Sequence, residues 1–272
     1  MDTTTDPESL RLLEGSLRTA MTAASGVKLD AALTDLGWRD MLDEMPDAAA
    51  TLVFRLLGET GAHAPVLNDV VLRGSGATPG DTVPLPFAGG SWVIWERGEG
   101  VESAIDEALP IHRVPQGDSL PPAALDAGRR ALGWWLVGAG RAMLSLARQH
   151  ALDRVQFGQH ISSFQAVRHR LAETLVAIEG AEATLHVAAQ SNDHNGLASL
   201  LAKAAAGQAA LTAARHCQQV LGGIGFTAEH PLHHHVKRSL ILDGLLGNAR
   251  ELTREAGKTL LDKGSAPRLA QL

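Results

Sequence analysis

From Pro121-Pro122 to the C-terminus the chain repeats apolar residues at intervals of three and four, which predicts long amphipathic helices and little else. Leu132, Trp135, Ala139, Met143 and Leu146 mark a helix over about 125–149. A second is expected to start near Ser162 or Ser163 as N-cap and to carry Phe164, Val167, Leu171, Leu175, Ile178 and Leu185 on one face. A third spans about 197–221 and stops at Gly222-Gly223, where a left-handed cap is expected. A fourth runs from about 240 onward through Leu245, Leu246, Leu252 and Leu260. Four such helices joined by modest loops predict an antiparallel bundle. The chain's aromatic poverty, with five Trp, five Phe and no Tyr, agrees with alanine-lined helix packing rather than a β-sandwich.

The remainder divides in two. Residues 1–69 read as a shortened helical domain, with stripes at Leu10, Leu13 and Leu17, at Leu29, Ala32 and Leu36, and at Ala50, Val53, Leu56 and Leu57. Residues 70–120 change texture: Val70-Val71-Leu72 and Ser91-Trp92-Val93-Ile94-Trp95 are short apolar runs between Gly- and Pro-rich turns, enough for a reduced β segment. The bundle then occupies 121–272. The fold expectation is therefore mainly α, a C-terminal four-helix bundle preceded by reduced helical and β segments.

Twenty-four basic against 30 acidic side chains leave a net charge of −6, which argues against nucleic acid as partner. The acidic start of the chain lacks the pattern of a secretory signal, and no uninterrupted apolar run reaches the ~18 residues of a membrane span. The single cysteine, Cys217, excludes an intrachain disulfide, and a reducing, cytoplasmic setting is expected.

Three segments carry possible chemistry. Arg154-Val155-Gln156-Phe157-Gly158 sets a guanidinium fork, an amide and a glycine turn just before a helix start, a combination suited to a pyrophosphate or carboxylate. Read on chemistry alone, the same residues suit a surface ion pair and a plug at the bundle end. Gln219-Val220-Leu221-Gly222-Gly223-Ile224-Gly225-Phe226 follows a helix rather than a strand and so is no Rossmann fingerprint; alone it means a helix stop with close backbone approach. His230, His233, His234 and His235 offer imidazoles, but no carboxylate is spaced to complete a site, so no metal is expected.

Together the first two motifs, in order and at helix boundaries, with Ile161 and Phe164-Gln165 after one and Glu229-His230-Pro231 after the other, resemble the acyl-CoA dehydrogenase family over roughly half the chain. That resemblance implies contacts to the adenosine and pyrophosphate part of FAD from Arg154, Gln156, Phe157, Gln219, Gly222 and Gly223, with the flavin shared with a neighbouring subunit. It also implies an acyl-CoA substrate and a carboxylate base. Counting twenty residues on from Phe226 reaches Leu246, and counting twenty-six back from Arg154 reaches Gly128; neither can abstract a proton. Asp126, Asp243 and Glu229 are the remaining candidate bases.

The resemblance is to the shortened subunits of heteromeric α2β2 dehydrogenases of steroid-degrading actinobacteria. It implies a non-catalytic chain completing the FAD site of a longer partner for a bulky, steroid-derived acyl-CoA. A self-sufficient enzyme with a displaced base and a flavin-free scaffold are the alternatives.

Overall fold

In the computed structural model, residues 7–98, 109–191 and 196–265 are described; the acidic first residues lie outside these ranges. Five helices come first: α1 (Pro7–Ala23), α2 (Val27–Asp35), α3 (Trp38–Glu44), α4 (Pro46–Thr60) and α5 (Leu67–Gly74). The Val70-Val71-Leu72 run, expected as a strand, belongs to α5. Leu67, Val70 and Val71 fall on one helical face and are buried, and burial of that face outweighs the β preference of two valines.

The β segment is a three-stranded antiparallel sheet in the order β1 (Leu85–Phe87), β2 (Ser91–Trp95), β3 (Ile111–Val114). Its register sets Leu85 opposite Val93 and Trp95 opposite Ile111, all four buried. Alternation thus gives the sheet one apolar face toward the helices.

The remaining helices are α6 (Pro122–Asp153), α7 (Gln165–Gln190), α8 (Leu197–Leu221), α9 (Leu232–Gly244) and α10 (Ala249–Lys263). Three boundaries differ from expectation. Proline at the first helical position starts α6 earlier than 125, and the helix continues to Asp153. Ser162 and Ser163 lie in a 3-10 turn, Ser163 Oγ donates back to His160 O at 2.7 Å, and the N-cap of α7 is Phe164 without a side-chain cap. The fourth helix is two: the chain turns a corner at 245–248, where Leu246 takes a left-handed φ of 56° and its N–H donates to Pro86 O at 2.8 Å. Asn248 then restarts the helix through a capping box with Glu251.

α6 is the axis of the molecule. Its Trp135 stacks on Trp95 of the sheet, with ring centroids 5.5 Å apart and 25° between planes, and meets the edge of Phe54 from α4 at 5.5 Å. Trp38, Phe54, Trp95 and Trp135 thus meet where helices, sheet and bundle join, each burying a large apolar area. Gly58 of α4 and Gly138 of α6 bring two backbones together: a Cβ on either would strike the other helix's main chain. α8 is lined by Ala202, Ala206, Ala209, Ala210 and Ala213, all buried. The stretch from α8 to Phe226 is long and apolar enough to cross a membrane, yet 72% of its most apolar window is buried inside the fold.

Candidate functional site

The chain runs up α6, down α7, up α8 and down α9, so the α6–α7 and α8–α9 connections share one end of the bundle. There β4 (Val155–Gln156) and β5 (Gln159–His160) form a hairpin with a two-residue turn. Both turn residues have positive φ, Phe157 at 52° and Gly158 at 79°, as a turn matched to strand twist requires. Phe157 is 92% exposed and meets only the edge of Phe164, with centroids 6.1 Å apart. Ile161 N donates to Arg154 O at 2.8 Å, closing the hairpin base. Arg154 and Gln156 are exposed; Gln156 Nε2 donates to Val155 O, and Arg154 has no ion pair among the described residues.

Opposite, Gln219 is exposed on the last turn of α8. Gly222 adopts φ 65° and ψ −140°, a region open in practice to glycine, and starts a short 3-10 turn through Phe226. Open space surrounds Gly222 and Gly223, and Phe226 is 69% exposed. At His150, near the end of α6, burial, then His230, then Arg154 disfavour the protonated form. The six flavin-motif residues therefore gather at one exposed end. A free guanidinium fork, an uncrowded glycine turn and an unsatisfied aromatic face suit a dianionic pyrophosphate beside a planar ring. Glu229 stands exposed on the same loop.

The other candidate bases sit at the opposite end, about 39 Å away along α6 at 1.5 Å per residue. Leu246 is 1% exposed and lies on Gly128: a Cβ built there would stand 2.5 Å from Leu246 Cδ1 and 3.1 Å from Val71 Cγ2. The two positions where the family resemblance places a base are thus in contact, and both are apolar. Around them the corner is stitched shut. Phe87 bridges to Leu245 and covers Gly244, Gly89 N donates to Glu251 Oε1 at 2.8 Å, and Arg129 Nε donates to Leu246 O at 3.3 Å.

Lys203, fully buried on α8, donates through Nζ to Asp243 O at 2.7 Å and Gly247 O at 2.8 Å, satisfying carbonyls at the α9 end. Burial lowers its pKa to about 8, against the opposing pull of Asp243. Both carboxylates are committed to structure. Asp126 Oδ1 accepts from Ser199 Oγ at 2.6 Å, and Asp243 Oδ1 accepts from Ala249 N at 3.1 Å. Burial raises the Asp243 pKa, with Lys203 acting against it. Lys203 and Arg129 were not singled out from sequence; the available signal was a solitary lysine at helical spacing from Ser199 and Gly207 in an alanine stripe.

Among the described residues no three His, Cys, Asp or Glu side chains converge. His233 and His234 instead lie ring against ring, centroids 3.8 Å apart, while His230 Nδ1 accepts from Leu232 N. His235 is buried, its pKa lowered to about 4 mainly by desolvation. Burial pushes Cys217 up to about 12, leaving a packed, unreactive thiol.

The chain is similar in sequence to known acyl-CoA dehydrogenases. Acyl-CoA dehydrogenase IpdE2 of Mycobacterium tuberculosis is 37% identical over 200 residues, covering 71% of this chain and 62% of that protein. FadE34 of the same organism is 34% identical over 206 residues, covering 67% of this chain and 28% of its own length. The chain therefore spans less than two thirds of either relative. Among solved structures, the Tcur3481-Tcur3483 steroid ACAD superposes with TM-score 0.69 at 19% identity, covering 95% of this chain and 99% of that one. The ChsE4-ChsE5 complex from Mycobacterium tuberculosis gives 0.65 at 18% identity, covering 98% and 100%. At such identities the likeness is one of fold. Residues 116–258, more than half the chain, match the acyl-CoA dehydrogenase C-terminal domain, and the protein belongs to the acyl-CoA dehydrogenase family.

Proposed function

We propose that this chain is the non-catalytic subunit of a heteromeric, FAD-dependent acyl-CoA dehydrogenase and completes the flavin site of a longer partner. The observation that carries the reading is the apolar contact of Leu246 with Gly128: a buried leucine fills the place where a proton-abstracting carboxylate would stand. Asp126 and Asp243, tied to Ser199 and Ala249, offer no displaced substitute, which disfavours a self-sufficient enzyme. Exposed Arg154, Gln156, Phe157, Gln219 and Gly223, with half-buried Gly222, would hold the adenosine and pyrophosphate half of the cofactor, while the partner contributes the base and the ring site. When bound, FAD accepts the hydride leaving the β carbon of the thioester. This chain's part is to bind and orient the far end of the cofactor.

The division into 1–69, 70–120 and 121–272 is read as an abbreviated form of the family's helical, β and bundle domains. A steroid-type acyl-CoA is the substrate class, by likeness to the Tcur3481-Tcur3483 steroid ACAD; an α2β2 cytoplasmic assembly follows from the same reading. The test is coexpression with a longer acyl-CoA dehydrogenase-like chain that carries an intact carboxylate base. The complex should show flavin absorption near ~450 nm and turn over acyl-CoA, and the isolated chain should do neither. Stoichiometric FAD and turnover by the isolated chain would overturn the proposal.

A further inference from the structure

A cavity of about 200 Å³ lies between α4, α5 and α6, with α3 at one edge. It is separate from the filled corner: Arg130, on its wall, stands two residues past Gly128 and so about 200° around α6 from the contact with Leu246. Buried Trp134, Leu42 and Val70 make an apolar floor. Gly74, Ala50, Ala123 and Ala127 supply most of the remaining wall, and their side chains are too short to fill the space. The Trp134 ring is steadied from behind by His186 of α7, with centroids 5.0 Å apart and 72° between planes.

The charges around this cavity do not balance. Arg73 and Arg130 line it against one carboxylate, Asp47. Arg130 Nη2 donates to Asp47 Oδ1 at 2.9 Å, while Arg73 donates outward, through Nε to Asp43 Oδ1 at 3.2 Å and through Nη2 to Asp43 O at 3.3 Å. Asp43 is 65% exposed and Asp47 56%, and ion pairs at that exposure hold a guanidinium only weakly. Nε and Nη1 of Arg130 and Nη1 of Arg73 make no hydrogen bond among the described residues.

We infer that this cavity binds a small carboxylic acid with a compact apolar body, the body over Trp134 and the carboxylate between Arg73 and Arg130. An apolar cavity of about 150 Å³ admits benzene, so a slightly larger one with cations at its rim suits a ring of that size bearing a carboxylate. One negative charge cancels the unmatched positive charge, and the unused N–H groups give it charge-assisted hydrogen bonds. A coenzyme A thioester is rejected, because its acyl carbonyl carries no charge and its nucleotide is far larger than the space. The inference goes beyond the subunit reading above and needs neither flavin nor another chain.

A ligand-observed NMR titration of the purified full-length chain with benzoate tests it. Binding should saturate with a Kd of about 0.1–1 mM, in keeping with a ligand of about nine non-hydrogen atoms. Benzyl alcohol, of similar shape without the charge, should bind at least about tenfold more weakly, and so should benzoate to Arg130→Gln. Ala50→Leu, which fills the cavity, should abolish binding; circular dichroism checks the fold of both variants. No saturation by about 10 mM benzoate, equal binding of benzyl alcohol, or binding indifferent to either substitution would overturn the inference. None of these results touches the flavin experiment or the reading it tests.

Discussion

The two ends of the bundle are built on opposite plans. At the corner over 245–248 Leu246 N–H, Leu246 O and Gly247 O all have internal partners and Leu246 is almost wholly shielded from solvent; at the hairpin end Arg154, Phe157, Gln219 and Phe226 project outward with almost nothing to hold. A buried, satisfied site is committed to its own fold, because any incoming group would have to displace a partner and leave a desolvated donor or acceptor. An exposed, unsatisfied one is committed to something else. The contrast teaches that the end where the family resemblance would put a base is closed on itself, while the hairpin end keeps its polar and aromatic groups unspent.

Substitutions can break that contrast. The largest effect is expected from Lys203→Met, which strips the donors from two buried carbonyls and leaves the Asp243 carboxylate without its cation; a loss of about 3–5 kcal/mol in urea unfolding is expected. The same lysine gives the closed end a pH signature. Its folded pKa of about 8 lies below the unfolded value of 10.5, so the unfolded chain binds more protons in that interval and stability should rise from pH 8 to 10.5. The gain is on the order of 3 kcal/mol and should vanish in Lys203→Met. Next, Gly128→Ala forces a methyl into Leu246 and should cost about 1–3 kcal/mol. A Leu246→Ala background should remove most of that cost, a coupling that a double-mutant cycle reads out.

The open end should behave in reverse. Arg154→Ala and Phe157→Ser should change unfolding free energy by less than about 0.5 kcal/mol, since neither side chain is packed. Flavin retained by the coexpressed complex should nevertheless fall in both, and Arg154→Ala retaining full flavin would favour the scaffold alternative.

The same contrast explains what could be read from the sequence. α8 was legible to the residue because its alanine stripe is bounded by Gly196 and Gly222, whose conformations end a helix on local grounds. β2 was legible because Ser91 and Trp95 bound an alternating run. The hairpin-end residues were joined only by the family resemblance, since local turn chemistry alone reads each motif as a surface turn or a helix stop. The corner was not legible. Leu245 and Leu246 continue a helical stripe, and the turn there is held by residues distant in sequence, among them Pro86, Phe87, Arg129 and Lys203. Ser162 and Ser163 misled because they are good caps that the structure uses in a preceding turn. The contact of Leu246 with Gly128 joins two positions that spacing rules reach separately and cannot connect.

The two-residue hairpin has a consequence for how this protein meets its ligands. Phe157 is held by a strand on each side and by a left-handed backbone that few alternative conformations share. An aromatic ring on a floppy loop would surrender backbone freedom on docking, at about 1–2 kcal/mol per residue fixed. Here that ordering was completed when the chain folded, so a molecule docking at this tip would meet a pre-organised surface and would not lose that backbone freedom.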